Sequence, residues 1–210
     1  AVKLLFLIFL LPNYSHSYSE SDFIVFKATS SCIRCDLTDS FFIKKDLRRS
    51  SLKNSFMKKV NLSLSDLSQS DLSLTDMSNS NLTSAIIMKA DLSFSDLSGS
   101  NLTETILDGS ILRYANLSGS NLNSSSFLYS NLSSANLTLT TMKETNFSGA
   151  NLRFVDMQLS ILEKSIFKFA DLRNSNLSNL DLTNIDFSFA NLERANLKNS
   201  ILNGSNLEFA

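Results

Sequence analysis

Cys32 and Cys35 form the one Cys-x-x-Cys of this 210-residue chain, and three chemistries use that spacing. Redox exchange needs the pair at a helix N-terminus in a thioredoxin-like setting, which the flanking sequence does not offer. A zinc site needs four ligands, and these cysteines and His16 are the whole supply of sulfur and imidazole donors other than methionine. Haem attachment needs a histidine next, where Asp36 stands. Carboxylates are plentiful, but Asp66, Asp71, Asp76, Asp91 and Asp96 recur in one slot of a repeat. A recurrent Asp at a chain corner is accounted for by a hydrogen bond to nearby backbone. No Ser-His-Asp set is legible. The sequence therefore assigns no catalytic, metal or cofactor residue, and the expected protein is not an enzyme.

The elements that position these residues follow from a period of five. From Leu37 to Leu207 a large apolar residue falls at every fifth position, and all 35 are Leu, Phe, Met or Ile. The residue before is usually Asn or Asp, and the residue two before is usually Ser, Ala or Thr. A helix repeats at about 3.6 residues and a flat strand at 2, so neither fits. One large and one small inward residue per five requires a corner in every repeat, and the chain must coil into a β-solenoid. Five central residues are Phe, and Phe127, Phe147, Phe167 and Phe187 are spaced by twenty. Identical aromatics gain most when stacked, so this core ladder predicts about twenty residues per coil, four sides and nearly nine coils. Cys32 and Cys35 then take inward slots of the first coil, either as a disulfide or as buried thiols.

The units Ala90-Asp91-Leu92-Ser93-Phe94 and Ala190-Asn191-Leu192-Glu193-Arg194 resemble the pentapeptide-repeat family. That resemblance covers 32–210 and implies an all-β, right-handed quadrilateral β-helix with the central residue and the one two before it inward. Cys32-x-x-Cys35-Asp36-Leu37 resembles the opening of many exported bacterial members, which implies a structural disulfide. Residues 1–19 read as a signal peptide: Lys3, then the apolar run Leu4–Leu11, then Ser15, Ser17 and Ser19. Residues 20–31 form a cap or linker, helix or strand undecided, with Phe23, Ile24, Val25 and Phe26 available to cover the first coil. An uncapped last coil suits a homodimer, unless a cap lies elsewhere.

Three surface features remain. The outermost slot, two after the central residue, holds Leu74, Phe94, Tyr114 and Phe154 on one side and Tyr129, Phe169, Phe189 and Phe209 on another. Stacked coils merge these into apolar stripes, either interaction sites or ladders that stabilise the rod. Lys44, Lys45, Arg48, Arg49, Lys53, Lys58 and Lys59 with Asp46 give a stretch of +6, a solvated face or a weak contact for an anionic surface. The net charge of -1 gives no pull on nucleic acid. The expected function is an exported, non-catalytic structural or protein-interaction rod with an unidentified protein partner. The alternative is a DNA mimic that inhibits or protects a topoisomerase-like enzyme, by resemblance to acidic quinolone-resistance members; near-neutral charge and the export signal count against it.

Overall fold

The computed structural model describes residues 18–210, so the signal-peptide reading of Lys3, Leu4–Leu11 and the serines at 15 and 17 lies outside the described residues. Nine coils of twenty residues, 31–50 through 191–210, stack into a four-sided β-helix. Parallel bridges join residues twenty apart throughout, from Ser31 with Ser51 to Asp186 with Asn206. Sides 1 to 4 are named here by their central residues in the first coil: Cys32, Leu37, Phe42 and Leu47. The expected register holds from end to end. Central residues from Leu52 to Phe187 are fully buried. Leu192, Leu197 and Leu202 are only partly covered and Leu207 is exposed, because the last coil has a neighbour on one side only.

Each side is a tight turn. The N–H three residues after a central residue donates back to its carbonyl, as Ser40 to Leu37 at 3.1 Å and Ser95 to Leu92 at 3.1 Å. The outermost slot carries positive φ in all of its residues from Arg34 (61°) to Phe209 (57°). All five glycines, at 99, 109, 119, 149 and 204, sit in that slot, where a missing Cβ removes the left-handed penalty. Most small inward hydroxyls have partners as well as room: Ser70 Oγ donates to the Leu67 carbonyl at 2.7 Å, and Ser100 Oγ donates one coil down to Met77 at 2.8 Å, whereas the Oγ atoms of Ser40, Ser50 and Ser175 have none. Such a bond offsets the desolvation cost of a buried donor, a cost that alanine in the same slot does not carry.

The N-terminal cap is a helix, α1, Glu20–Thr29. Ser19 caps it by accepting the Asp22 N–H at 3.4 Å. Ser30, in the left-handed conformation, closes it by donating its N–H to Phe26 at 2.8 Å. Asp22 ties the helix to the first coil by accepting the Asp36 N–H at 2.9 Å. The expectation that four apolar residues cover that coil needs correction. Phe26 is buried against Phe42 and Phe23 packs partly on the core, but Ile24 and Val25 face water. A helix turns about 100° per residue, so four consecutive residues cannot share one face.

Candidate interaction surfaces

Cys32 and Cys35 occupy a central slot and the small slot of the next repeat, both buried. Their Cα atoms are 5.6 Å apart, a separation that a disulfide spans. The pair is folded into the wall of coil 1 beneath α1, with Cys32 Sγ 3.4 Å from the Asp22 carbonyl in the first turn of that helix.

The five repeat carboxylates are held as corner struts. Asp66, Asp71, Asp76, Asp91 and Asp96 each accept the backbone N–H two residues on, at 2.9, 3.0, 3.1, 2.9 and 2.9 Å from Ser68, Ser73, Ser78, Ser93 and Ser98. Burial alone would raise the pKa of Asp76, but the Ser78 hydrogen bonds and the Lys58 ammonium outweigh it, and the group sits below the usual carboxylate range. On side 2 the same slot forms an amide column: Asn116 donates to Asp96 at 3.1 Å and Asn136 to Asn116 at 3.2 Å. Among the described residues no cluster of three or more His, Cys, Asp or Glu has the arrangement of a metal site.

The eight outward apolar residues all reach the surface. On side 1 Phe94 and Tyr114 stack at 4.9 Å with Leu74 in the coil before. Phe154 stands apart, because Ser134 intervenes. Arg113 and Arg153 lie over Tyr114 and Phe154 at 5.6 and 5.4 Å, placing cations against aromatic faces. On side 4 Phe169, Phe189 and Phe209 stack at 4.9 Å per step. Gly149 separates Tyr129 from that stack, and the Tyr129 ring lies over the glycine: a Cβ there would come within 2.5 Å of it.

Two surface properties escaped the sequence reading. Ile86, Met88, Ile106 and Ile166 are exposed on side 4, so its apolar strip runs far beyond the outermost slot. Ile111 does the same on side 1. Sides 4 and 1 meet at an edge, whereas sides 2 and 3 carry mainly Asn, Ser and Thr, with Phe41, Ile43, Phe56 and Leu64 exposed near the base of the rod and Leu139, Leu159, Ile161 and Ile201 scattered above. The signal was available: isoleucine where the repeat places Asn or Asp marks departures from the pattern.

The basic collar is partly neutralised from within. Arg48 grips Asp46 with two bonds, at 2.8 and 2.6 Å, and lies 3.8 Å from Asp66. Lys58 is 3.6 Å from Asp76. The Arg48 guanidinium holds the exposed Asp46 carboxyl at about 2, well below its ordinary 3.8. Above the collar, residues 60–110 hold seven acids and one lysine, a net −6 that offsets the +6 below it. The near-zero total thus hides a rod charged oppositely in adjacent zones.

A family model described as pentapeptide repeats matches in eight copies, at residues 30–69, 61–93, 90–127, 125–163, 140–179 and 181–210. A trypsin-treated variant of QnrB1, a plasmid-mediated fluoroquinolone resistance protein, is similar at TM-score 0.62, with 16% identity over 82% of this chain and 90% of that one. A second such variant gives 0.51, with 18% identity over 77% and 90%. HetL, a pentapeptide repeat protein involved in heterocyst differentiation regulation in the cyanobacterium Nostoc, gives 0.48, with 21% identity over 89% and 94%. At these identities the likeness concerns the fold alone. No curated protein sequence matches the chain.

Proposed function

Because this chain belongs to the pentapeptide-repeat family, with its right-handed quadrilateral β-helix, we propose that it acts without catalysis, as an exported rod that offers sides 4 and 1 to a protein partner. The observation that carries this reading is where the aromatics sit. Every outermost slot has positive φ, and glycine or asparagine fill it at least cost. Phe94, Tyr114, Tyr129, Phe154, Phe169, Phe189 and Phe209 occupy it nevertheless, with rings in water. Large exposed aromatics on one edge of a rigid body are the usual anchors of a protein interface.

Export rests on Lys3, Leu4–Leu11 and the serines that follow, and a Cys32–Cys35 disulfide suits an oxidising compartment. N-terminal sequencing of the exported protein is expected to begin between Tyr18 and Ser21; intact Ala1 on cytosolic protein would count against it. For the surface, the test is crosslinked capture from the exported fraction with Phe169→Asn/Phe189→Asn beside Leu139→Asn/Leu159→Asn. Loss of the captured species with the first pair alone supports the reading, and equal loss or equal retention removes side 4 from it.

The DNA-mimic alternative draws on one observation, the net −6 of residues 60–110. Inhibition or protection of a topoisomerase in a supercoiling assay, lost on replacing Asp71 and Asp91 by Asn, would favour it over the first.

A further inference from the structure

The small inward slot tolerates one anomaly. Of its 36 residues from Cys35 to Ala210, 35 are neutral Cys, Ser, Thr, Ala, Val, Leu or Ile, and the remaining one is Lys45. Its backbone keeps the register of the coil: the Lys45 N–H donates to Ser65 Oγ at 3.0 Å and its carbonyl accepts from the Asp66 N–H at 2.9 Å. Its side chain does not stay inside, because an ammonium among leucines has no counter-charge there, and the residue is exposed. It leaves the core toward a cleft of about 420 Å³ between α1 and the first coil.

The walls of that cleft are Phe23, Phe26, Phe41, Phe42 and Leu47, and its polar lining is Lys27, Lys45, Ser30 and Asp46. Phe26 meets Phe42 edge-on at 5.0 Å and Phe23 lies 5.5 Å from Phe42, so the aromatic floor is built and packed. Lys27 comes from the last turn of α1 and rests its ammonium 5.2 Å from the Phe23 ring. The acid on the wall is already engaged: Asp46 is held by both Arg48 bonds, at 2.8 and 2.6 Å. Among the described residues neither Lys27 nor Lys45 enters a salt bridge with a carboxylate. Two cations without anions thus face an apolar hollow of a size that holds a small molecule.

We infer that this cleft binds a fatty carboxylate, with the acyl chain against the exposed Phe41 and the half-buried Phe23, over the packed floor of Phe26, Phe42 and Leu47, and the carboxylate between Lys27 and Lys45. The composition selects that class. A compact inorganic anion makes no use of the aromatic walls, a neutral hydrocarbon leaves both ammoniums unanswered, and a cation meets a repulsive field from the whole collar. The charge-assisted contacts fix the head while apolar burial supplies most of the affinity.

Displacement of 11-(dansylamino)undecanoic acid from the full chain tests this, with dodecanoate and dodecanol as competitors. Dodecanoate is expected to compete at least about tenfold better than dodecanol, a difference of about 1.4 kcal/mol. Lys45→Ser restores the small residue of the slot, so its thermal midpoint is expected to hold or rise while affinity for dodecanoate falls about tenfold or more. Lys27→Gln is expected to weaken binding without touching the coil. Equal affinity of Lys45→Ser and the parent, or equal competition by acid and alcohol, overturns the assignment. Capture of the protein by phosphatidylglycerol vesicles, with no displacement by dispersed dodecanoate, also overturns it, since the cations would then serve a membrane surface.

Discussion

Two aromatic columns run up side 4, two residues apart in sequence. The inner one is Phe127, Phe147, Phe167 and Phe187, with ring centroids 5.0, 5.2 and 5.3 Å apart. The outer one ends in Phe169, Phe189 and Phe209, at 4.9 Å per step. As stacks they are nearly alike, because both inherit their step from the coil spacing. They differ in everything else. Inner rings are fully buried, whereas Phe169 is 56% exposed and Phe209 72%. The outer residues also hold φ of 57° to 61°. Burial of a phenylalanine is worth roughly 1.5–3 kcal/mol, a ring pair about 0.5–1.5, and a left-handed residue costs about 1–2. For the inner column these terms add. For the outer column the stacking gain roughly cancels the backbone cost, so stability gives little reason to keep aromatics there.

The widest separation between the columns is expected for Phe167→Ala. Phe167 lies between Phe147 and Phe187, and its loss opens a void between two rings. Chemical denaturation should register a loss of roughly 3–5 kcal/mol. A loss under about 1 kcal/mol would mean that the coil collapses onto the gap and that burial does not distinguish the columns.

Both columns were legible in the sequence, since a strict period of five leaves one register and four phenylalanines in phase give the coil length. The inward placement of Cys32 and Cys35 followed from the same count. The left-handed outermost slot was not legible from hydrophobic periodicity, which reports direction and not φ. Five glycines confined to that slot carried the information. Nor was α1 legible from Phe23-Ile24-Val25-Phe26, a run too short to separate helix from strand. Ser19-x-x-Asp22 was the cue, a cap followed by an acid in the first turn. Lys45 was read as one charge among seven. Its slot, and not its charge, sets it apart.

A smaller effect is expected where the rod begins. Reduction of a Cys32–Cys35 disulfide releases a short loop, so the cost should be roughly 2 kcal/mol at most. The melting temperature with and without reductant measures it. No shift, with both thiols alkylated in exported protein, would show that the pair is held by burial, as the inner phenylalanines are.

Acid should act on the collar more weakly still. The folded pKa of Asp46 is depressed from 3.8 to about 2 by Arg48, so its contribution is present above about pH 4 and is lost as pH falls through about 2. The pair is open to water, so screening keeps the effect small. Asp76, Glu163, Asp171 and Asp181 are depressed too, so the collar's share is the difference between the parent and Asp46→Asn: melting temperatures from about pH 5 to about pH 2 should fall slightly more for the parent, and that difference should shrink in about 0.5 M salt. Identical profiles for the parent and Asp46→Asn in both salts would remove this pair from the stability of the fold.

The smallest effect is expected for Phe169→Asn, and its sign matters more than its size. Asn occupies the same left-handed slot at 54, 79, 174, 179, 184 and 199, and its short side chain tolerates that conformation. The substitution removes one ring from an exposed stack and relieves one strained backbone position. The two terms oppose each other, so the change in unfolding free energy should stay within about 1 kcal/mol and can be stabilising. Phe169→Ala beside it separates the two: Ala loses the same ring but keeps more of the left-handed penalty, so it should be the less stable of the pair by a few tenths of a kcal/mol. If both variants instead lose as much as Phe167→Ala, the outer column is a structural member. The proposal that its aromatics serve a partner then loses its ground, because their cost would already be met by folding.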